Sequence, residues 1–340
     1  FLQWAEQEMA HREARNRGAQ QLAFPHADFR PGQRHLAESV FKAVSTGRCL
    51  MAQAPTGIGK TVGTLFPMLK ALAPQQLDKV FFLTAKTPGR KLALDAVQVI
   101  LDSAEAPPLR VLEMIARDKA CEHPDKACHG ESCPLARGFY DRLPAARQAA
   151  SELTLLNQSA LREVALEHDV CPYYLSQEMA RWADVVVADY NYYFDFSALL
   201  FGLAQANNWK VAVLVDEAHN LVERGRQMYS ASLDQSTLNA VRKTAPPALK
   251  TALQRVNRQW NALHDLQLGA YQAYDKAPEK LLQALSSCSA SIGDYLNDHP
   301  QGLDSALQSF YFDMLQFCRV AELFDEQFLF DISKRDLERK

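Results

Sequence analysis

Two short stretches of this 340-residue chain carry residue types that could do phosphate chemistry. The first, "APTGIGKT" (54–61), sets Gly57 and Gly59 just ahead of Lys60 and Thr61, after the apolar run "CLMAQ" (49–53). Glycines let successive backbone N–H groups turn inward, and a helix N-terminus adds positive potential, so such a turn can cradle a polyphosphate. Lys60 would reach the outer phosphates and Thr61 would ligate Mg²⁺. Ala54 stands where the strict G-x-x-x-x-G-K-[ST] spelling has glycine, so this stretch alone also reads as an ordinary strand–helix turn.

The second stretch, "VAVLVDEAHN" (211–220), ends an apolar run on two adjacent carboxylates. Asp216 can hold Mg²⁺ through its water shell, and Glu217 can orient and deprotonate an attacking water. A solvated acidic turn is the bland alternative. Both stretches in this order favour a nucleotide site.

A third group is soft rather than hard. Cys121, Cys128, Cys133 and Cys171 follow the spacing C-x6-C-x4-C-x37-C. Four thiolates could hold zinc or an iron–sulfur cluster, and the spacing leaves both open, with four unligated cysteines as the plain reading. Cys49, Cys288 and Cys318 sit in apolar surroundings and are expected in the core. No export signal precedes the cysteines, so a reducing cytoplasmic compartment is expected.

These groups need a scaffold. Apolar runs at 49–53, 79–85, 110–115, 184–190 and 211–217 alternate with helical stretches such as 61–73 and 89–104. That rhythm predicts a parallel sheet covered on both faces. The segment from Cys121 to Cys171 interrupts it as an insertion. After about residue 230, Leu249, Leu253, Val256, Trp260, Leu263 and Leu266 recur at helical steps, as do Leu307, Phe310, Tyr311, Met314 and Cys318. Pro246–Pro247, Pro278 and "HPQG" (299–302) punctuate them, so 231–340 is expected to be all-helical. Net charge is −3, which gives no bulk argument for a nucleic-acid partner; a local groove would have to supply one. No apolar run approaches the roughly 18 residues that span a bilayer.

In this context "APTGIGKT" and "DEAH" resemble motifs I and II of superfamily 2 helicases, and the likeness extends to the XPD/DinG-like branch. "FRPGQ" (29–33) resembles that branch's adenine-recognition element, which implies that Gln33 reads the base. "FFLTAKT" (81–87) resembles motif Ia, and "ADVVVADYNYYFD" (183–195) resembles the "NYxYL" segment. These imply a single-stranded DNA path at Thr84, Lys86, Thr87 and Tyr192. "ARDKAC" (116–121) and "CPYY" (171–174) resemble the borders of the family's 4Fe–4S insertion.

The resemblance implies a RecA-like motor domain over 29–115 and 175–230, a cluster insertion over 116–174 and a helical arch domain over 231–340. An N-terminal helical segment, 1–28, precedes them. ATP and Mg²⁺ would be held by Thr56, Gly57, Gly59, Lys60, Thr61 and Asp216. Glu217 would act as base, and His219 would couple the site to DNA. Phe139, Tyr140 and Tyr173 could stack on bases, with Lys119, Lys126, Arg137 and Arg142 forming a basic groove. The implied activity is 5′–3′ unwinding of forked or tailed duplex DNA by an N-terminal portion lacking its second motor domain, in a bacterial-type cytoplasm at the nucleoid. The rival readings are a non-enzymatic cluster- or zinc-bearing DNA-binding fragment and a zinc-bearing translocase that remodels without unwinding.

Overall fold

A computed structural model describes residues 2–103, 105–126, 128–299 and 302–334. The chain divides into two compact units, Phe1–Met228 and Tyr229–Lys340.

The first unit is built on five parallel strands: β1 Lys79–Thr84, β2 Val111–Glu113, β3 Leu155–Leu156, β4 Val185–Asp189 and β5 Val211–Val215. Their order is β3-β2-β4-β1-β5. β1 is buried along its whole length and lies between β4 and β5, with Phe81 opposite Val186 on one side and Val213 on the other. Such a strand needs no polar face, which is why "KVFFLT" is apolar at nearly every position. Side chains alternate across the pleat. Val80, Phe82, Val185 and Val187 pack into one core layer, and Phe81, Leu83, Val186, Ala188 and Tyr190 into the other.

Around the sheet run α1 Leu2–Gln21, α2 Gln33–Thr46, α3 Lys60–Lys70, α4 Thr87–Leu101, α5 Arg117–Ala120, α6 Phe139–Ser151, α7 Gln158–Glu167, α8 Pro172–Met179, α9 Asn191–Phe194, α10 Leu199–Ala206 and α11 Leu221–Met228. The expected insertion is therefore largely helical, and through β3 it also extends the sheet. α1 is pinned by charge more than by apolar contact. Arg15, 3% exposed, donates to Asp184 at 2.9 Å and to the Asp78 carbonyl at 3.0 Å, and His11 lies 2.9 Å from Asp184. Burial alone would raise the Asp184 carboxyl, but His11 and Arg15 hold it low.

The segment 49–53 departs from expectation. It is not a buried strand: it is unpaired and exposed, with Met51 at 94%, and Cys49 is exposed with it. β5 ends the sheet with only β1 beside it, so among the described residues no ladder takes up this run. Of the other two cysteines expected inside, Cys288 is buried and Cys318 is partly so.

In the second unit, α12 Gln235–Thr244, α13 Pro247–Leu266, α14 Glu279–Asp298 and α15 Ser305–Glu322 close around Leu253, Val256, Leu285, Ile292, Phe310 and Met314. Both predicted stripes fall on these helices, although Leu266 at the end of the first is 78% exposed. "HPQG" falls partly outside the described residues. The unit is not all-helical. β6 Tyr271–Tyr274 pairs antiparallel with β7 Phe330–Ser333, and the Tyr274 and Phe330 rings lie 5.8 Å apart. No helix of the described chain is long and apolar enough to cross a membrane.

Candidate nucleotide site, cleft and cysteine pocket

The strands of a parallel sheet all point the same way, so their C-terminal ends share one edge, where open α/β sheets bind ligands. Thr84, Asp189 and Asp216 all lie there. α3 begins at Lys60 in the same region, after Gly57 at φ 85° and Gly59 at φ 79°. Both angles lie in the left-handed region, which glycine enters without steric cost.

The phosphate-loop candidate and the acidic pair meet. Lys60 Nζ lies 3.4 Å from Glu217 Oε1, although 157 positions separate the two residues. Burial and the neighbouring Glu217 raise the Asp216 carboxyl above its ordinary value, with Lys60 opposing them. A cation such as Mg²⁺ would supply the charge balance Asp216 lacks. His219 is exposed, with Nδ1 3.5 Å from Glu217 Oε2. Thr56 is exposed in the turn ahead of Gly57, and Thr61 is half-buried on the first turn of α3.

Gln33 is buried beneath the loop. Its Oε1 accepts from the Arg30 backbone N–H at 3.0 Å, and its Nε2 donates to the Gly59 carbonyl at 2.9 Å. The Arg30 guanidinium donates to the Gly57 carbonyl at 2.6 Å. Stacking of Phe24 on Phe29, with centroids 3.8 Å apart, anchors the segment that carries both residues. Residues 30–33 thus brace the loop in this arrangement. Arg30 was legible only as a neighbour of Gln33, because nothing in its spacing marks it as a brace.

A cleft of about 890 Å³ opens beside the strand ends. Lys86, Thr87 and Tyr192, three of the four predicted DNA-facing residues, line it together with Arg117, Lys119 and Tyr173. Thr84 does not: it is 2% exposed, at the end of β1, where a Cβ on Gly89 would come within 2.2 Å of its hydroxyl. Tyr192 donates to the Ile115 carbonyl at 2.9 Å, and burial pushes its phenol pKa up. Of the expected basic groove, Arg137 and Arg142 instead hold loop carbonyls of Gly130 and Asp169. Tyr140 is 83% exposed, and Phe139 packs against the core beside Tyr174.

Tyr190 and Arg224 were missed by sequence reasoning. Tyr190, fully buried, donates to the backbone carbonyls of Asp216 and, at 3.1 Å, Glu217. Burial and the nearby carboxylates push its phenol up to about 12. Arg224 donates to Asp189 and Asn191, both at 2.6 Å. A tyrosine at the end of an apolar strand gives no signal of such a role.

The four predicted cysteines line one apolar cavity of about 20 Å³ with Leu135, Ala136 and Tyr174. Cys171 precedes the first turn of α8, where the backbone N–H groups of Tyr173 and Tyr174 favour its thiolate. Burial raises the Cys171 thiol, those two donors oppose the shift, and Cys121 and Cys128 nearby add to it. Among the described residues no three His, Cys, Asp or Glu side chains stand in ready metal geometry. Four free cysteines lining one cavity are nonetheless the kind of donor set a thiolate-bound centre would use. The cavity is only about the size of one water, so the fit is one of chemistry rather than of volume.

A parallel sheet with a glycine turn, a lysine and a facing acidic pair at its ligand edge defines a RecA-like P-loop domain. A family profile described as DEAD/DEAH box helicase matches residues 34–156, and one described as DEAD_2 matches residues 108–238. With the motif order above, these matches make the chain similar to the XPD-like helicases of superfamily 2. It is 22% identical over 254 residues to the Dictyostelium discoideum protein described as general transcription and DNA repair factor IIH helicase subunit XPD. That match covers 65% of this chain and 31% of that protein. It is 29% identical over 144 residues to an Anopheles gambiae regulator of telomere elongation helicase 1 homolog, covering 38% of this chain and 14% of the relative. It is 27% identical over 185 residues to a Gallus gallus Fanconi anemia group J protein homolog, covering 49% and 14%. Of solved structures, a truncated XPD superposes with a TM-score of 0.52 at 18% identity, over 86% of this chain and 82% of that one. A second, described as an XPD helicase, gives 0.55 at 16% identity, over 91% and 55%. The chain thus spans about a third or less of these curated relatives.

Proposed function

We propose that this chain carries the nucleotide-binding first motor domain of an ATP-dependent DNA helicase that moves 5′ to 3′ on single-stranded DNA and opens forked or tailed duplexes. One observation carries the reading: Lys60 and Glu217 converge at 3.4 Å across the sheet edge. Lys60 takes the outer phosphates, Thr61 and Asp216 hold Mg²⁺, and Glu217 activates the attacking water. His219, on the same turn, couples the site to DNA. The direction of movement and the forked substrate rest on the family resemblance alone.

Hydrolysis in this family uses an arginine from a second motor domain, which contributes about a thousandfold or more. On this reading the 340 residues alone bind ATP weakly and do not unwind DNA. The proposed compartment is the bacterial-type cytoplasm, at the nucleoid.

The four cysteines, on this proposal, hold a 4Fe–4S cluster. The convergence of the thiols and the two N–H donors on Cys171 support it. When bound, a cluster would tie the loop of Cys121, Cys128 and Cys133 to the start of α8, beside the cleft-lining Tyr173.

Binding of a fluorescent ATP analogue with Mg²⁺ tests the assignment. Lys60→Ala should weaken it about 30-fold, as loss of a charge-assisted contact of about 2 kcal/mol implies. Equal affinity in wild type and variant would remove Lys60 from the site.

A further inference from the structure

The segment Asp189–Tyr192 touches both candidate sites. Asp189, Asn191 and Tyr192 line the cleft, whereas Tyr190 is fully buried and turns to the other side. Its hydroxyl donates to the carbonyls of Asp216 and Glu217. Those are the two residues whose carboxylates the nucleotide reading needs. Glu217 holds a left-handed φ of 52°, uncommon for a residue with a Cβ. The Asn220 backbone N–H and side-chain amide also bind its carbonyl, both at 2.9 Å.

The acidic turn is gripped a second time at its far end. It runs directly into α11, where Arg224 donates to Asp189 and Asn191. Arg224 also lines the cleft. One four-residue segment therefore holds the acidic turn at both ends, and its second grip uses a cation exposed to whatever enters the cleft. A phosphate there competes with the Asp189 carboxylate and the Asn191 amide oxygen for the guanidinium, which donates charge-assisted N–H bonds to phosphate as it does to carboxylate.

We propose that Tyr190 is the positioning residue that sets the Asp216–Glu217 backbone, and that the Arg224–Asp189–Asn191 contact passes occupancy of the cleft to it. This rests on the nucleotide-site and DNA-cleft assignments above. Coupling between two sites is reciprocal and is measured as a ratio of affinities. The ratio also separates coupling from mere stabilisation, because a residue that only supports the fold leaves it unchanged.

The 340-residue chain is titrated with a fluorescent ATP analogue and Mg²⁺, without and with saturating oligo(dT). In the wild type, DNA should change nucleotide affinity at least about fivefold, the lower end of typical couplings. Tyr190→Phe keeps the ring and removes both hydrogen bonds; its ratio should fall to near one, with oligo(dT) affinity within about twofold of wild type. Asn191→Ala, which loosens Arg224 without touching Tyr190, should lower the ratio as well and carries the test if Tyr190→Phe does not fold. A wild-type ratio of one, or an unchanged ratio in both variants, overturns the proposal. Failure of the analogue to bind any form overturns the nucleotide-site reading beneath it, an outcome distinct from lost coupling.

Discussion

The nucleotide turn and the cysteine pocket lie in the same unit, yet they are prepared in opposite ways. At the turn, most groups already have a protein partner: Lys60 has Glu217, Gly59 has Gln33, Gly57 has Arg30, and the acidic turn has Tyr190. The scaffold there is a buried parallel sheet. In the pocket, four cysteines line a cavity the size of a water, and two backbone N–H groups favour the thiolate of Cys171. The sheet and these contacts set the first site from the protein's own groups. On the proposed reading the second would gain its geometry from the centre it holds, because in such sites binding free energy is also folding free energy.

The largest effect should come from breaking the pocket. Cys133→Ser removes one of four ligands, and iron and acid-labile sulfide should fall to background in anaerobically purified protein. Nucleotide affinity should stay within about twofold, since the two sites share no side chain. Iron retained in full would remove Cys133 from the ligand set. Stoichiometric zinc in the wild type, without sulfide, would make the centre a zinc site.

A middle-sized effect tests the preset end of the comparison. Gly59→Ala would place a Cβ 2.4 Å from Gln33 Nε2 at a φ of 79°. The backbone strain alone is about 1–2 kcal/mol, and the Gln33 bond to the Gly59 carbonyl would be displaced as well. Nucleotide affinity should fall by about tenfold or more, with iron content unchanged. An alanine variant that binds as well as wild type would show the loop to be softer than its hydrogen bonds imply.

The same contrast explains what could be read from the sequence. Strands β1, β2 and β4 were legible because burial on both faces demands unbroken apolar runs, and β5, half-buried at the end of the sheet, because "VAVLV" is apolar throughout. Lys60, Asp216 and Glu217 were legible because phosphate and metal chemistry allows few residue types. "CLMAQ" has the same apolar texture as a buried strand, but composition cannot show whether a neighbouring strand is there to pair with it. Tyr190 reads as a core aromatic and is one by burial; its hydroxyl contact depends on bringing together residues 26 positions apart. β6 and β7 escaped for a related reason: four-residue strands 56 or more positions apart leave no local signature within helical surroundings.

The smallest effect is the most diagnostic of presetting. Burial and Glu217 raise the Asp216 carboxyl in the folded chain. A group whose folded pKa exceeds its unfolded one stabilises most below the unfolded value, and that contribution is lost as pH rises through the folded value. At neutral pH the ligand-free chain therefore carries a penalty for keeping Asp216 charged. Asp216→Asn should raise the ligand-free melting temperature slightly, since solvent screening keeps the penalty small. The gain should shrink as pH is lowered toward the ordinary carboxylate range. Mg²⁺ and ATP should then stabilise the wild type and leave the variant nearly unmoved, since the cation that offsets the penalty has lost its ligand. Melting curves with and without Mg–ATP measure both. An asparagine variant less stable than wild type in the absence of ligand would make Asp216 part of the structural frame, and the turn would then owe its order to its own contacts rather than to a charge held ready for metal.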